Sequence, residues 1–100
     1  MVKHMILWKL KDEFSAAEKE TIKAGIKESL EALQGVIPGL VEIKVQINGL
    51  ATSNADLMLD STFTDAEALK NYAVHPAHVE AADTKVRPFT FQRLCLDFEA

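Results

Sequence analysis

The chain has 100 residues, 48% hydrophobic and 26% charged, enough for one compact core and too few for two, so a single domain spanning residues 1–100 is expected. Its net charge of −4 is spread along the chain without a basic run or basic-aromatic interleaving, a pattern that excludes the electrostatic footprint of a nucleic-acid binder. The apolar stretches are far shorter than the ~20 residues needed to cross a bilayer, and Met1-Val2-Lys3-His4 lacks the long apolar region of a secretory signal. No membrane partner and a cytoplasmic location are therefore expected.

Residues Val2 to Leu10 read as a strand, with Val2, His4, Ile6, Trp8 and Leu10 on one alternating face and Lys3 and Lys9 on the other. Ser15 followed by Glu18 forms a capping box, which starts a helix. Ile22, Ile26, Leu30, Leu33 and Ile37 recur at helical spacing, so the helix is expected over about residues 16 to 34. Gly35 supplies its cap and Ile37-Pro38-Gly39 a turn. Val41, Ile43, Val45 and Ile47 alternate with Glu42, Lys44 and Gln46 in a second strand. After a small, polar loop from Asn48 to Asn54, Asp56 to Phe63 reads as a third strand antiparallel to the second. Thr64 with Glu67 repeats the capping-box spacing and starts a second helix near Asp65. Pro76 interrupts that helix, leaving His75 at the break and a further short helix from about Pro76 to Thr84. The closing strand is expected over Phe89 to Phe98.

This order, β-α-β-β-α-β, is that of an α+β ferredoxin-like fold: a four-stranded antiparallel sheet with helices on one face. The first and last strands are apolar on both faces, as Met5 and Leu7 against Ile6 and Trp8 illustrate. The uncovered face is therefore expected to be buried against a second copy of the chain. The lone Cys95, between Leu94 and Leu96, reads as a small apolar filler, and Trp8, Phe89, Phe91 and Phe98 read as core.

The chain holds three histidines and one tyrosine, and Tyr72, His75 and His78 fall within one short stretch around Pro76. Groups able to move a proton near neutral pH are thus concentrated at a helix break. His75, just before the proline, reads as a cap on local backbone. His75 and His78 are spaced like a short metal-ligand pair, but Pro76 disturbs the common helical face, so no metal is expected.

Together, Val2 to Asp12, Ile37-Pro38-Gly39, Ser61-Thr62-Phe63, Tyr72, His75-Pro76-Ala77-His78 and Arg87-Pro88 resemble the stress-responsive α/β-barrel domain family (Dabb), one of the dimeric α+β barrels. The resemblance spans nearly the whole chain. It implies a homodimer whose two sheets pack face to face into a barrel, and a cavity in each subunit between sheet and helices. No cofactor is expected. In a polyketide-cyclase branch of the family, the catalytic tyrosine and histidine match Tyr72 and His78, and a pocket histidine matches His4. Leu57 stands where that branch has a second pocket histidine, and Lys23, Ala24 and Lys27 replace an aromatic lining. On this resemblance the ligand-binding positions are His4, Leu57 and His75, and the ligand is a small apolar or aromatic, polyketide-like molecule. His78 would take a proton from a carbon next to a carbonyl while Tyr72 stabilises the enolate oxygen. Three roles stay open: a small-molecule-binding homodimer, a cyclase or isomerase, and a structural stress protein.

Overall fold

The computed structural model describes every residue from Met1 to Ala100. Strand β1 (Val2–Leu10) buries each second side chain, so Val2, His4, Ile6, Trp8 and Leu10 face the helices as their alternation requires. Helix α1 (Ala16–Glu31) opens on the Ser15–Glu18 box: the Glu18 amide donates to Ser15 Oγ at 3.1 Å, and the Ser15 amide to Glu18 Oε1 at 2.8 Å. It stops at Glu31, short of residue 34, because the backbone tightens into turns there, the Leu33 amide donating to the Leu30 carbonyl. Leu33 and Ile37 stay buried all the same.

Gly39 then turns the chain into β2 (Leu40–Gln46) at a φ of +83°, and a Cβ there would collide with the Ala68 side chain. Only glycine meets both demands. Strand β2 lies at a sheet edge, yet its outward amides are not bare. The Val45 amide donates to Glu31 Oε2 at 2.9 Å and the Ile43 amide to Gln34 Oε1 at 3.3 Å, so side chains from the end of α1 and the turn after it blunt this edge.

Strand β3 (Leu57–Phe63) is followed by α2 (Ala66–Val74). The cap of α2 is Asp65, not Thr64: the Ala68 amide donates to Asp65 Oδ1 at 2.8 Å, so the capped donor is the Ala68 amide and not that of Glu67. Helix α3 (Pro76–Ala81) starts after the break and passes directly into a π-helical turn, Ala82–Val86, which carries the helical segment past Thr84. Strand β4 (Thr90–Glu99) closes the fold.

The sheet order is β2-β3-β1-β4 with every pair antiparallel, the ferredoxin-like arrangement. The sheet of one chain is open, with β2 and β4 at its edges. Helices cover one face. On the other, register places Leu94 opposite Leu7, Leu96 opposite Met5 and Phe98 opposite Lys3. Leu7, Leu94, Leu96 and Phe98 are all exposed in the single chain. Strand β4 departs from the expectation of two apolar faces, because its other side carries Arg93, Cys95 and Asp97. Cys95 is exposed, so it is no buried filler, and neither Phe91 nor Phe98 belongs to the core. The helices do not reach far enough across the sheet to bury β4.

Candidate active site between sheet and helices

A cavity of about 360 Å³ opens between the sheet and the α3 segment. Its apolar wall is Ile6 and Trp8 of β1, Leu30 of α1, Leu59 of β3, and Ala82 and Val86 of the π-helical turn. Its polar groups are Tyr72, His78, Arg87, Thr90 and Arg93. This volume lies near the lower end of the roughly 300–1,000 Å³ found for small-molecule sites.

The break at Pro76 brings Tyr72 and His78 together. His75 shapes that break from both sides: its own amide donates to the Tyr72 carbonyl at 3.1 Å, ending α2, while its Nδ1 accepts from the Ala77 amide at 3.1 Å, starting α3. With the chain bent there, the Tyr72 and His78 rings stack at 4.2 Å between centroids, tilted by 36°. Tyr72 is buried against Phe63, 4.9 Å away and edge-on.

The protonation states follow from the contacts. His78 Nδ1 lies 3.3 Å from the Ala73 carbonyl, which can only accept, so Nδ1 carries the hydrogen. In the neutral ring this leaves a lone pair on Nε2. Burial pushes the His78 pKa below its ordinary 6.5, opposed by the Ala73 bond and reinforced by Arg87, His4 and Arg93 nearby. Burial pushes Tyr72 the other way, up to about 12, with Arg93 a smaller opposing influence. The two groups are thereby driven apart into a neutral base and a protonated donor. The Tyr72 hydroxyl is buried and has no hydrogen-bond partner within the protein.

His4 stands one step back from the cavity wall. Its ring meets Tyr72 edge-on at 6.1 Å and Phe63 at 6.2 Å, and its Nδ1 lies 2.5 Å from Asp97 Oδ1. The carboxylate accepts, so it fixes His4 as the Nδ1–H tautomer. Cys95 Sγ lies 3.4 Å from the same carboxylate oxygen, and burial and Asp97 together raise its thiol pKa, which disfavours the thiolate. Leu57 is buried opposite Trp8 and lies outside the cavity lining, as does His75.

Two lining residues escaped the sequence reading, Arg87 and Arg93. Arg87 follows the π-helical turn, its amide donating to the Ala82 carbonyl at 2.8 Å, and that extra residue in the turn brings Ala82, Val86 and Arg87 to one wall. Arg93 pairs in register with Trp8, whose inward face it shares. Pairing β4 onto β1 in the correct register was the signal that would have found it.

An antiparallel ferredoxin-like sheet with a stacked tyrosine–histidine pair at its broken second helix defines a cavity-bearing α+β domain. The Stress Responsive A/B Barrel Domain matches residues 2–100, and the chain belongs to that family. A dimeric, ferredoxin-like protein of unknown function from Bacteroides fragilis is similar at a TM-score of 0.92 and 33% identity, over 99% of this chain and 95% of that one. Olivetolic acid cyclase from Cannabis sativa is 29% identical over 100 residues, covering 97% of this chain and 94% of the cyclase. Hydroxynitrile lyase from Passiflora edulis shares the fold at a TM-score of 0.71 and 20% identity, over 97% of this chain and 90% of the lyase.

Proposed function

We propose that the chain works as a homodimer in which each cavity binds a small carbonyl compound and His78 with Tyr72 enolises it. The observation that carries the reading is the pair itself: a histidine with one nitrogen uncommitted, stacked on a tyrosine whose buried hydroxyl lacks a protein partner. An unpaired buried hydroxyl costs about 1–3 kcal/mol, which is reasonable where a ligand oxygen completes it.

In the reaction, His78 Nε2 takes a proton from the carbon next to the carbonyl. The C–H electrons move to form the enolate, and the Tyr72 O–H donates a hydrogen bond to the oxygen that gains the charge. The protonated imidazole then returns the proton to a different carbon of a conjugated enolate, an isomerisation, or the enolate carbon attacks a second carbonyl, whose oxygen takes up the bond electrons and then the proton from the imidazole, a cyclisation. Similarity to olivetolic acid cyclase supports this class of chemistry. His4 and Asp97 act behind Tyr72 as positioning residues, holding the ring edge-on.

The dimer rests on the apolar open face formed by Leu7, Leu94, Leu96 and Phe98, and on relatives that are described as dimeric. The blunted β2 edge favours face-to-face packing over strand pairing along that edge. The test of the chemistry is hydrogen–deuterium exchange at C3 of 4-oxo-4-phenylbutanoate, the carbon next to the ketone, in D2O, followed by NMR. Exchange accelerated by the wild type and lost in His78→Gln is the expected result; equal rates with both proteins would overturn it.

A further inference from the structure

We propose that the compound taken up by this cavity is a small keto acid, its carboxylate held by Arg93 and its ketone presented to Tyr72 and His78. This rests on the enolisation reading above for the ketone end, and on independent observations for the acid end.

The charged groups in the cavity wall are all basic. Arg87 and Arg93 line it beside His78, and no aspartate or glutamate does. Of the nearby acids, Asp97 pairs with His4 and Asp83 with the Arg87 guanidinium one helical turn on, which leaves Arg93 as the lining arginine outside any ion pair. Arg93 takes part in none of the ion pairs of the chain. A guanidinium outside every ion pair, at the wall of a cavity with an apolar side, matches a planar carboxylate through two parallel N–H donors, a fit an ammonium would not give. A volume of about 360 Å³ leaves room for a compact acid with an apolar body against Ile6, Trp8 and Leu59.

The position also survives assembly. In register with Trp8, Arg93 lies on the helix side of β4, opposite to the face that carries Leu94 and Leu96. Burying the open face of the sheet therefore leaves the guanidinium at the cavity. The same two cations favour neutral His78, and a bound carboxylate would offset them.

Binding is measured apart from turnover through the fluorescence of Trp8, the sole tryptophan and part of the cavity wall. The probes are 4-oxo-4-phenylbutanoate and its methyl ester, which share the ketone and the phenyl body. Wild type is expected to bind the acid ~10- to 100-fold more tightly than the ester, the range of a charged hydrogen-bonded contact. Arg93→Gln should bind both alike, while Arg93→Lys recovers part of the preference. Thermal melting checks that the exposed Arg93 can be changed without unfolding. Equal binding of acid and ester by the wild type, or an undiminished preference in folded Arg93→Gln, would overturn the proposal. His78→Gln separates the two readings: a retained acid preference without exchange supports both, whereas a wild type that prefers the acid yet exchanges no proton upholds the anion site and removes the enolisation.

Discussion

The two faces of the sheet are built from alternate residues of the same strands, yet they answer to different demands. Along β4, Leu94, Leu96 and Phe98 point to the open face, while Arg93, Cys95 and Asp97 point to the helix side. The helix side can hold polar groups because the cavity and His4 give them work: Arg93 reaches the cavity wall and Asp97 the His4 ring. The open face has no such partners within the chain, and its apolar residues are left exposed. On the proposed function, one strand separates assembly from chemistry by parity alone, since a period of two sends neighbours to opposite sides. The lesson is that a substitution at an odd position of β4 and one at the adjacent even position should fail in different assays.

The largest break in that comparison is expected from Leu94→Asp combined with Leu96→Asp. Each leucine buried in a dimer contributes roughly 1.5–3 kcal/mol, and an unpaired carboxylate in its place adds a further cost. The double variant should sediment as a monomer at concentrations where wild type sediments as a dimer. Cys95→Ser, between them in sequence but on the other face, should leave the dimer intact. A wild type already monomeric at micromolar concentration would end the argument for the open face.

On the helix side, His78→Gln is expected to lower α-proton exchange by ~10²- to 10⁴-fold, the range for a general base. The pH dependence follows from the direction of the shift. Burial and the neighbouring cations lower the His78 pKa, so the active neutral form persists below the ordinary 6.5 and the acid limb of the rate lies under that value. For stability the sign is the same: the contribution of neutral, half-buried His78 is complete above 6.5 and is lost as pH falls through its lowered folded value. An acid limb at or above 6.5 would place the working proton on another group.

Tyr72 gives a smaller loss of rate and an unusual stability result. Its hydroxyl has no partner in the protein, so Tyr72→Phe should leave unfolding unchanged or raise stability by up to about 1 kcal/mol, while exchange falls by ~10²-fold. A loss of more than about 1 kcal/mol would mean that the hydroxyl is structural. As the only tyrosine it can also be titrated by absorbance without interference, and its phenolate should appear near 12 and not near 10. The stability linked to it is intact below 10 and is lost as pH rises towards 12, because only the unfolded chain ionises easily in that interval.

How far the sequence carried this reading depended on whether a signal was local. Period-two alternation identified β1 and the Ile43–Val45 part of β2, whereas a register shift between Leu40 and Glu42 buries Leu40 and leaves Val41 exposed; the Ser15–Glu18 box located the start of α1, because these signals lie within one element. The α2 cap was misread by one residue, since Thr64 and Asp65 both offer an oxygen and only the backbone angles decide between them. The π-helical turn left no mark in Ala82–Val86, whose residues would serve equally in an α-helix. In the site, Tyr72 and His78 were legible because a helix break joins them. Arg93 and the Asp97 contact to His4 were not, because both depend on the long-range pairing of the first strand with the last. Exposure of Phe91 and Phe98 was hidden for a related reason: an apolar strand reads the same whether its cover is its own helices or another chain.

The smallest effect expected is at His75, where the comparison turns on shape and not on charge. Its ring accepts from the Ala77 amide, satisfying one of the free donors at the start of α3, and its own amide closes α2. His75→Ala removes the first of these contacts and keeps the second, so it should destabilise the fold by about 1 kcal/mol, the usual loss for a helix cap. His75→Asn, whose side-chain oxygen can accept from the same region of backbone, should recover most of that loss. Because His75 lies outside the cavity lining, quenching of Trp8 by 4-oxo-4-phenylbutanoate should weaken little in either variant. The reverse pattern, unchanged unfolding with weakened quenching, would move His75 from the bend into the binding site. It would also mean that the Tyr72–His78 stack can be held without the cap that now joins the two helices.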